Sequence, residues 1–179
     1  LDAGVSFIDT ADIYPANGVP ELVGETENII GRWMKGRRKD VVLATKFWAP
    51  TGKNPWQGGA SRRNILDSVD DSLRRLQTDY IDLYQVHWPD MVVPMEESME
   101  AMDRLVQAGK VRYIGTSNES AYGLTKSNTI AEYEGYAKFQ SIQNNFSLLN
   151  PRFFDELAHV CETENVSLLP CLLYTSDAA

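Results

Sequence analysis

The sequence has little of what several large protein classes require. Its 179 residues include only two cysteines, Cys161 and Cys171, whose spacing matches no zinc-binding pattern. It contains neither a GxGxxG dinucleotide-binding motif nor a phosphate-binding P-loop. No apolar run approaches the roughly 18 residues that span a bilayer, and the N-terminus lacks the layout of a signal peptide. We therefore predict a cytoplasmic protein with reduced cysteines, no metal site and no membrane partner.

Acidic residues outnumber basic ones by 25 to 17, which gives a formal net charge of -8. A broad negative field disfavours nucleic acid and anionic membranes as main partners. The hydrophobic fraction of 43% is enough for one domain with a core, and the length is too short for two large domains.

Short apolar runs alternate with helical patterns along the chain. Strands are predicted at residues 5–9, 41–46, 81–87, 111–118, 139–145 and 166–170. Helices are predicted over 61–76, 95–108 and 150–164, with less sharply bounded helices near 21–35 and 120–133. Most of the apolar runs are continuous, as in strands that are covered on both faces. This order of elements predicts an α/β fold with a parallel sheet and right-handed crossovers.

Capping residues mark the ends of three of these helices. Ser61 is placed to cap the first, and Gly109 follows the second at the position that glycine favours. Asn150 and Pro151 are typical of the cap and first turn of the third.

Two architectures fit such a series, a doubly wound open sheet and a (β/α)8 barrel. Polar residues close five successive predicted strands: Asp9, Lys46, His87, Ser117 with Asn118, and Gln143 with Asn144. In a barrel, chemistry comes from the C-terminal ends of many strands, so this pattern favours the barrel.

The same residues suggest the chemistry of carbonyl reduction, which needs a proton donor at oxygen. Tyrosine has an ordinary pKa of about 10, and a neighbouring ammonium group lowers it. Lys46 is the candidate ammonium for Tyr14, and Asp9 is placed to hold the lysine. His87 could orient the substrate oxygen or share in a proton relay. Amide and hydroxyl partners for a nicotinamide ring are available in Ser117, Asn118 and Gln143.

Five segments together resemble the aldo-keto reductase superfamily, and in particular its Tas-like or general-stress-type branch, which is close to the potassium-channel β-subunits. They are GVSFIDTADIY, VVLATK, DYIDLYQVHWPD, GKVRYIGTSNES and FQSIQNNFSLLN. The resemblance extends over about residues 1–170.

The resemblance implies an incomplete TIM barrel over residues 1–170, comprising about strands two to seven of eight. It also implies the NADPH-dependent reduction of a small aldehyde or ketone, with a catalytic set of Asp9, Tyr14, Lys46 and His87. Ser117, Asn118 and Gln143 are implied as nicotinamide ligands. Cys171 and Leu172 stand where the family has a Tyr-Ser pair. Residues 171–179, CLLYTSDAA, resemble no barrel element and are expected to be an artefactual ending.

The sequence leaves open two alternatives to an active reductase. One is a cofactor-binding regulatory subunit like the channel-associated members of the family, and the other is an incomplete barrel without activity. Trp48 and Trp88 are candidate walls of a substrate pocket, although the loop over residues 47–60 could instead pack on the barrel rim. His159 is expected to be a surface residue.

Overall fold

A computed structural model describes residues 1, 3–16, 18–147 and 156–171. Its sheet has six strands, which are β1 (Phe7–Asp9), β2 (Val42–Phe47), β3 (Ile81–Val86), β4 (Val111–Ser117), β5 (Phe139–Asn145) and β6 (Ser167–Cys171). Every neighbouring pair is parallel, and the strands follow one another in chain order.

This sequential order decides between the two predicted architectures. In a doubly wound sheet the strand order reverses, and the reversal places helices on both faces. Here the order never reverses, so right-handed crossovers place the helices on one face and the sheet curls into a half-barrel. The prediction of a partial (β/α)8 barrel is confirmed, with β1 and β6 at the edges of the described sheet.

Five α-helices lie between the strands of the described sheet. They are α1 (Glu25–Met34), α2 (Arg62–Leu76), α3 (Met95–Gln107), α4 (Ala121–Glu134) and α5 (Leu157–Glu164). The predicted cap is confirmed at Ser61, whose hydroxyl accepts a hydrogen bond from the Asn64 backbone N–H at 3.3 Å. Gly109 follows α3 with a φ of +72°, as predicted. No helix among the described residues is long and apolar enough to cross a membrane.

One predicted helix is divided in the structure, and the predicted start of another lies outside the described residues. The helix expected near residues 21–35 is split into a 3₁₀ turn at Pro20–Leu22 and helix α1, because Gly24 has a left-handed φ of +81° that no α-helix accommodates. The predicted cap at Asn150 and Pro151 lies outside the described residues, as do residues 172–179 of the predicted tail.

The pleat of the sheet separates an apolar layer under the helices from a polar barrel interior. Fully buried residues of the apolar layer include Leu43, Ile65, Val69, Leu76, Met102, Leu105 and Ile114. Thr45 of β2 faces the helices, because its hydroxyl donates to Glu27 of α1 at 2.7 Å. Since side chains alternate along a strand, the neighbouring Lys46 points into the barrel interior. That interior, at the C-terminal ends of the strands, contains the candidate site.

Candidate active site

An ion pair between Lys46 and Asp9 forms the centre of the site. Asp9 is paired with Ala44 across β1 and β2, so the side chain of Lys46 reaches it from two residues further along β2. The Lys46 Nζ lies 2.6 Å from Asp9 Oδ2, and it also donates to the Thr10 carbonyl oxygen at 2.8 Å. The lysine side chain is only 1% exposed, and a buried ammonium requires such partners.

Tyr14 and His87 complete the cluster above this ion pair. The Lys46 Nζ lies 5.6 Å from the centroid of the Tyr14 ring. The Tyr14 and His87 rings meet edge to face, with 5.9 Å between their centroids. The His87 backbone N–H donates to the Phe47 carbonyl at 2.9 Å, which extends the β2–β3 ladder and holds the imidazole at the strand end. The structure therefore brings together the four side chains that the sequence selected.

The pKa of Tyr14 departs from its ordinary value in the direction opposite to the one predicted. Burial is the larger cause of a raised pKa, and the negative charge of Asp9 adds to it, with a smaller contribution from Cys171. The prediction of a lowered pKa is wrong for the chain as it stands, because burial and the charge of Asp9 outweigh the effect of the neighbouring Lys46 ammonium. The phenol of Tyr14 is accordingly protonated at neutral pH.

The pKa of His87 is lowered to about 4, first by burial and then by the positive charge of Lys46. Its imidazole is therefore neutral at physiological pH. The Nδ1 atom is buried and has no hydrogen-bond partner among the described residues.

The three predicted nicotinamide ligands lie side by side at the ends of β4 and β5. The Ser117 hydroxyl donates to the Gln143 carbonyl at 2.7 Å. The Asn118 amide donates to the His87 carbonyl at 3.0 Å and to the Ser117 hydroxyl oxygen at 3.2 Å. These contacts tie Asn118 to the backbone of His87 and Ser117 to the backbone of β5.

Two glutamines donate to Asp9, and only one of them was singled out in the sequence. Gln143 Nε2 lies 3.1 Å from Asp9 Oδ2, and Gln85 Nε2 lies 3.2 Å from Asp9 Oδ1. Gln85 is fully buried. Its position in the strand could have identified it. Gln85 precedes His87 by two residues, and side chains two apart in a strand lie on the same face, here the interior one.

The two tryptophans behave differently. Trp88 is 48% exposed and stacks on His87, with 6.4 Å between ring centroids. Trp48 is partly buried against the hydrophobic core, as the packing alternative expected. Trp48 also has a φ of +128°, a strained conformation for a tryptophan, directly after β2. Of the two, only Trp88 lies exposed beside the four catalytic candidates, where it could form a wall of a substrate pocket.

A cavity of about 650 Å³ lies between the loops that follow β1 and β2. Ile13 and Pro15, which flank Tyr14, line it together with Val23 and Pro50. Lys53 is the charged residue among its described lining. Neither Trp48 nor Trp88 lines this cavity.

Away from the cluster, His159 is exposed on α5, as expected. No group of three His, Cys, Asp or Glu side chains in the described part of the chain is arranged to hold a metal ion.

Comparison with known proteins identifies the family of the chain. The sequence profile of the aldo/keto reductase family matches residues 1–173, and the chain belongs to that family. It is 37% identical over 190 residues to the protein Tas of Escherichia coli, covering 93% of this chain and 55% of that protein. It is 50% identical over 122 residues to the aldo-keto reductase YhdN of Bacillus subtilis, covering 67% of this chain and 35% of that protein.

A fungal relative is similar over most of this chain. The chain is 38% identical over 175 residues to norsolorinic acid reductase B of Aspergillus parasiticus, covering 93% of this chain and 44% of that protein. The chain spans about half the length of the curated relatives it matches.

Proposed function

We propose that this chain carries the reaction centre of an oxidoreductase that reduces an aldehyde or ketone with NADPH, with Tyr14 as the proton donor. The observation that carries the proposal is the convergence of four side chains at the ends of β1, β2 and β3. The Lys46 ammonium is 2.6 Å from Asp9 Oδ2 and 5.6 Å from the Tyr14 ring centroid, and that ring meets His87 edge to face.

Tyr14 is suited to give a proton because its phenol is protonated at neutral pH. As the proton moves to the substrate oxygen, negative charge develops on the phenol oxygen. The Lys46 ammonium lies beside the ring, in a position to stabilise that charge. Asp9 holds the ammonium in place before and after the transfer.

His87 is suited to orient the substrate. With a pKa of about 4 its imidazole is neutral at pH 7, so it acts as a hydrogen-bonding group and not as a charged acid. Because its ring meets the Tyr14 ring edge to face, the imidazole and the phenol border the same small space. A carbonyl oxygen placed there would contact the proton donor and the imidazole together.

The nicotinamide carboxamide would be held by Ser117, Asn118 and Gln143, whose hydroxyl and amide groups suit it chemically. When bound, NADPH supplies the hydride for the carbonyl carbon. These three residues are joined by hydrogen bonds to one another and to the His87 carbonyl, and Gln143 also contacts Asp9. The cofactor ligands and the proton-donating groups thus form one connected network. The choice of NADPH over NADH rests on the family resemblance.

The experiment is a reductase assay with a panel of aliphatic and aromatic aldehydes, followed by the loss of NADPH absorbance, with NADH in parallel. We expect NADPH oxidation by the unchanged chain and at least a 100-fold lower rate with Tyr14→Phe. Tyr133→Phe is the matched control, because Tyr133 is 88% exposed on α4.

Equal rates for Tyr14→Phe and the unchanged chain would contradict the assignment of Tyr14. Tight NADPH binding without turnover of any aldehyde would contradict the reductase proposal and favour the regulatory alternative.

A further inference from the structure

We propose that Gln85 is a positioning residue, which fixes the Asp9 carboxylate and through it the Lys46 ammonium. The inference rests on the proposed function for its kinetic consequence, although the contact itself does not. Gln85 is fully buried on the interior face of β3, directly across from Lys46 in the β2–β3 register. Its Nε2 lies 3.2 Å from Asp9 Oδ1.

The two oxygens of Asp9 are held by different donors. Lys46 Nζ and Gln143 Nε2 both approach Oδ2, at 2.6 and 3.1 Å. Within the described residues, the side-chain donor found on Oδ1 is Gln85. A carboxylate held at one oxygen can rotate about its terminal torsion, which is a broad and soft one. Gln85 removes that freedom and keeps Oδ2 directed at the ammonium.

The chemistry of the contact fixes the orientation of the glutamine side chain. The reversed amide would place its carbonyl oxygen against Asp9 Oδ1, and two acceptors repel each other. The amide nitrogen therefore faces Asp9, and the carbonyl oxygen points elsewhere in the barrel interior. That Oε1 atom is buried without a hydrogen-bond partner among the described residues.

Neighbouring strands provide space for this arrangement. Gln85 pairs with Gly115 of β4, and Gly115 pairs with Ser141 of β5. A Cβ atom on Gly115 would lie 2.3 Å from the Ser141 hydroxyl oxygen and 3.3 Å from the Gln85 Cγ. The glycine thus lets both polar side chains share one interior layer. The Ser141 hydroxyl is buried and unpartnered within the described part of the chain.

This layer leaves two buried polar atoms, Gln85 Oε1 and the Ser141 hydroxyl oxygen, without partners among the described residues, which is unfavourable for stability. A leucine or methionine at position 85 would fill the volume without an unpaired acceptor. A role in holding Asp9 explains why a glutamine occupies an interior position that an apolar residue could fill.

The test compares Gln85→Met and Gln85→Glu with the unchanged chain in single-turnover hydride transfer from NADPH to an aldehyde. Gln85→Met keeps the length and removes the donor. We expect the rate constant to fall about tenfold or more, with less than about a twofold change in the dissociation constant of NADPH. Gln140→Met, at an exposed glutamine of β5, is the matched control and should leave both quantities unchanged.

Gln85→Glu supplies a readout that a purely structural role would not change. At low pH its protonated carboxyl donates to Asp9 and restores much of the rate. As the pH rises it ionises, loses the donor and places a like charge beside Asp9, so the rate falls. We expect this added pH dependence in Gln85→Glu and not in the unchanged chain or Gln85→Met. A wild-type rate in Gln85→Met, or a wild-type pH profile in Gln85→Glu, would overturn the inference.

A stability measurement separates this inference from the proposed function. If the unchanged chain transfers no hydride, the proposed function has failed, and the contact is judged by urea unfolding of Gln85→Met, Asp9→Ala and the double variant. We expect the double variant to lose less stability than the two single losses together. Additive losses would overturn the inference whatever the activity of the chain.

Discussion

The Lys46 ammonium and the Asp9 carboxylate are in direct contact at 2.6 Å, yet they differ in exposure. The lysine side chain is 1% exposed and the aspartate side chain is 28% exposed. A buried ion pair is costly to break from one side, because the remaining charge stays without its partner. The two halves of this pair are therefore not equivalent in their effect on stability.

Replacing Asp9 with asparagine is expected to destabilise the chain by about 2 to 3 kcal/mol, because it leaves the Lys46 ammonium buried without a counterion. Lys46→Met, which removes the buried charge itself, should cost less, since the exposed Asp9 can be solvated. Urea unfolding followed by circular dichroism measures both. A larger loss of stability in Lys46→Met than in Asp9→Asn would contradict this description of the pair.

The stability of the chain should fall as the pH drops from about 6.5 to about 4, and His87 is one cause. Its pKa in the folded chain is about 4, first because of burial and then because of Lys46. Between these pH values the unfolded chain binds a proton at this histidine and the folded chain does not. The loss amounts to about 1 to 2 kcal/mol, after allowance for the partial exposure of the ring.

Unfolding free energies at several pH values measure this effect. His87→Gln should show a shallower pH slope in this window, whereas His159→Gln, at an exposed site on α5, should keep the slope of the unchanged chain. Equal slopes for the unchanged chain and His87→Gln would show that the imidazole titrates normally.

Asp12 should make the chain less stable at neutral pH. It is 1% exposed, and both of its carboxylate oxygens lack hydrogen bonds within the described residues. The Ile13 backbone N–H faces the carboxyl without reaching hydrogen-bonding geometry. Burial, and then the charge of Glu27, raise the pKa of Asp12, while Arg75 lowers it to a smaller extent.

Because the folded chain binds this proton more readily than the unfolded one, stability is lost as the pH rises above the ordinary aspartate pKa. We expect Asp12→Asn to raise the melting temperature at pH 8 by a few degrees and to give no gain near pH 4. Asp40→Asn, at an exposed site, is the control. A gain that persists unchanged at pH 4 would point to a cause other than ionisation.

The positions of the main site residues could be predicted from local signals. Lys46 and His87 end continuous apolar runs, and the C-terminal ends of parallel strands meet at one edge of the sheet. Gln85 could have been predicted by the same reasoning, because it lies two residues before His87 on the same face of the strand. It was missed because it lies inside a mostly apolar run and not at its end. The capping of α2 was predictable because Ser61 acts on residues close to it in sequence.

Other features depend on contacts that no local pattern contains. Gln143 reaches Asp9 across 134 positions of the chain, so its contact follows from the curl of the sheet. The pKa of Tyr14 depends on how deeply the ring is buried and on the negative charge of Asp9, which β1 places near it. The split of the first predicted helix follows from the left-handed conformation of Gly24, a glycine that a regular helical pattern would also tolerate at a small cost.

We propose that the cluster of Tyr14, Lys46, Asp9 and His87 reduces a carbonyl group with a hydride from NADPH. The direct test is mass spectrometry of the product formed from NADPH that carries deuterium at both hydrogen positions of the nicotinamide C4. We expect one deuterium on the carbinol carbon of the alcohol, and at least a 100-fold slower appearance of that product with Tyr14→Phe. An alcohol product without deuterium, or equal labelled product from the unchanged chain and Tyr14→Phe, would contradict it.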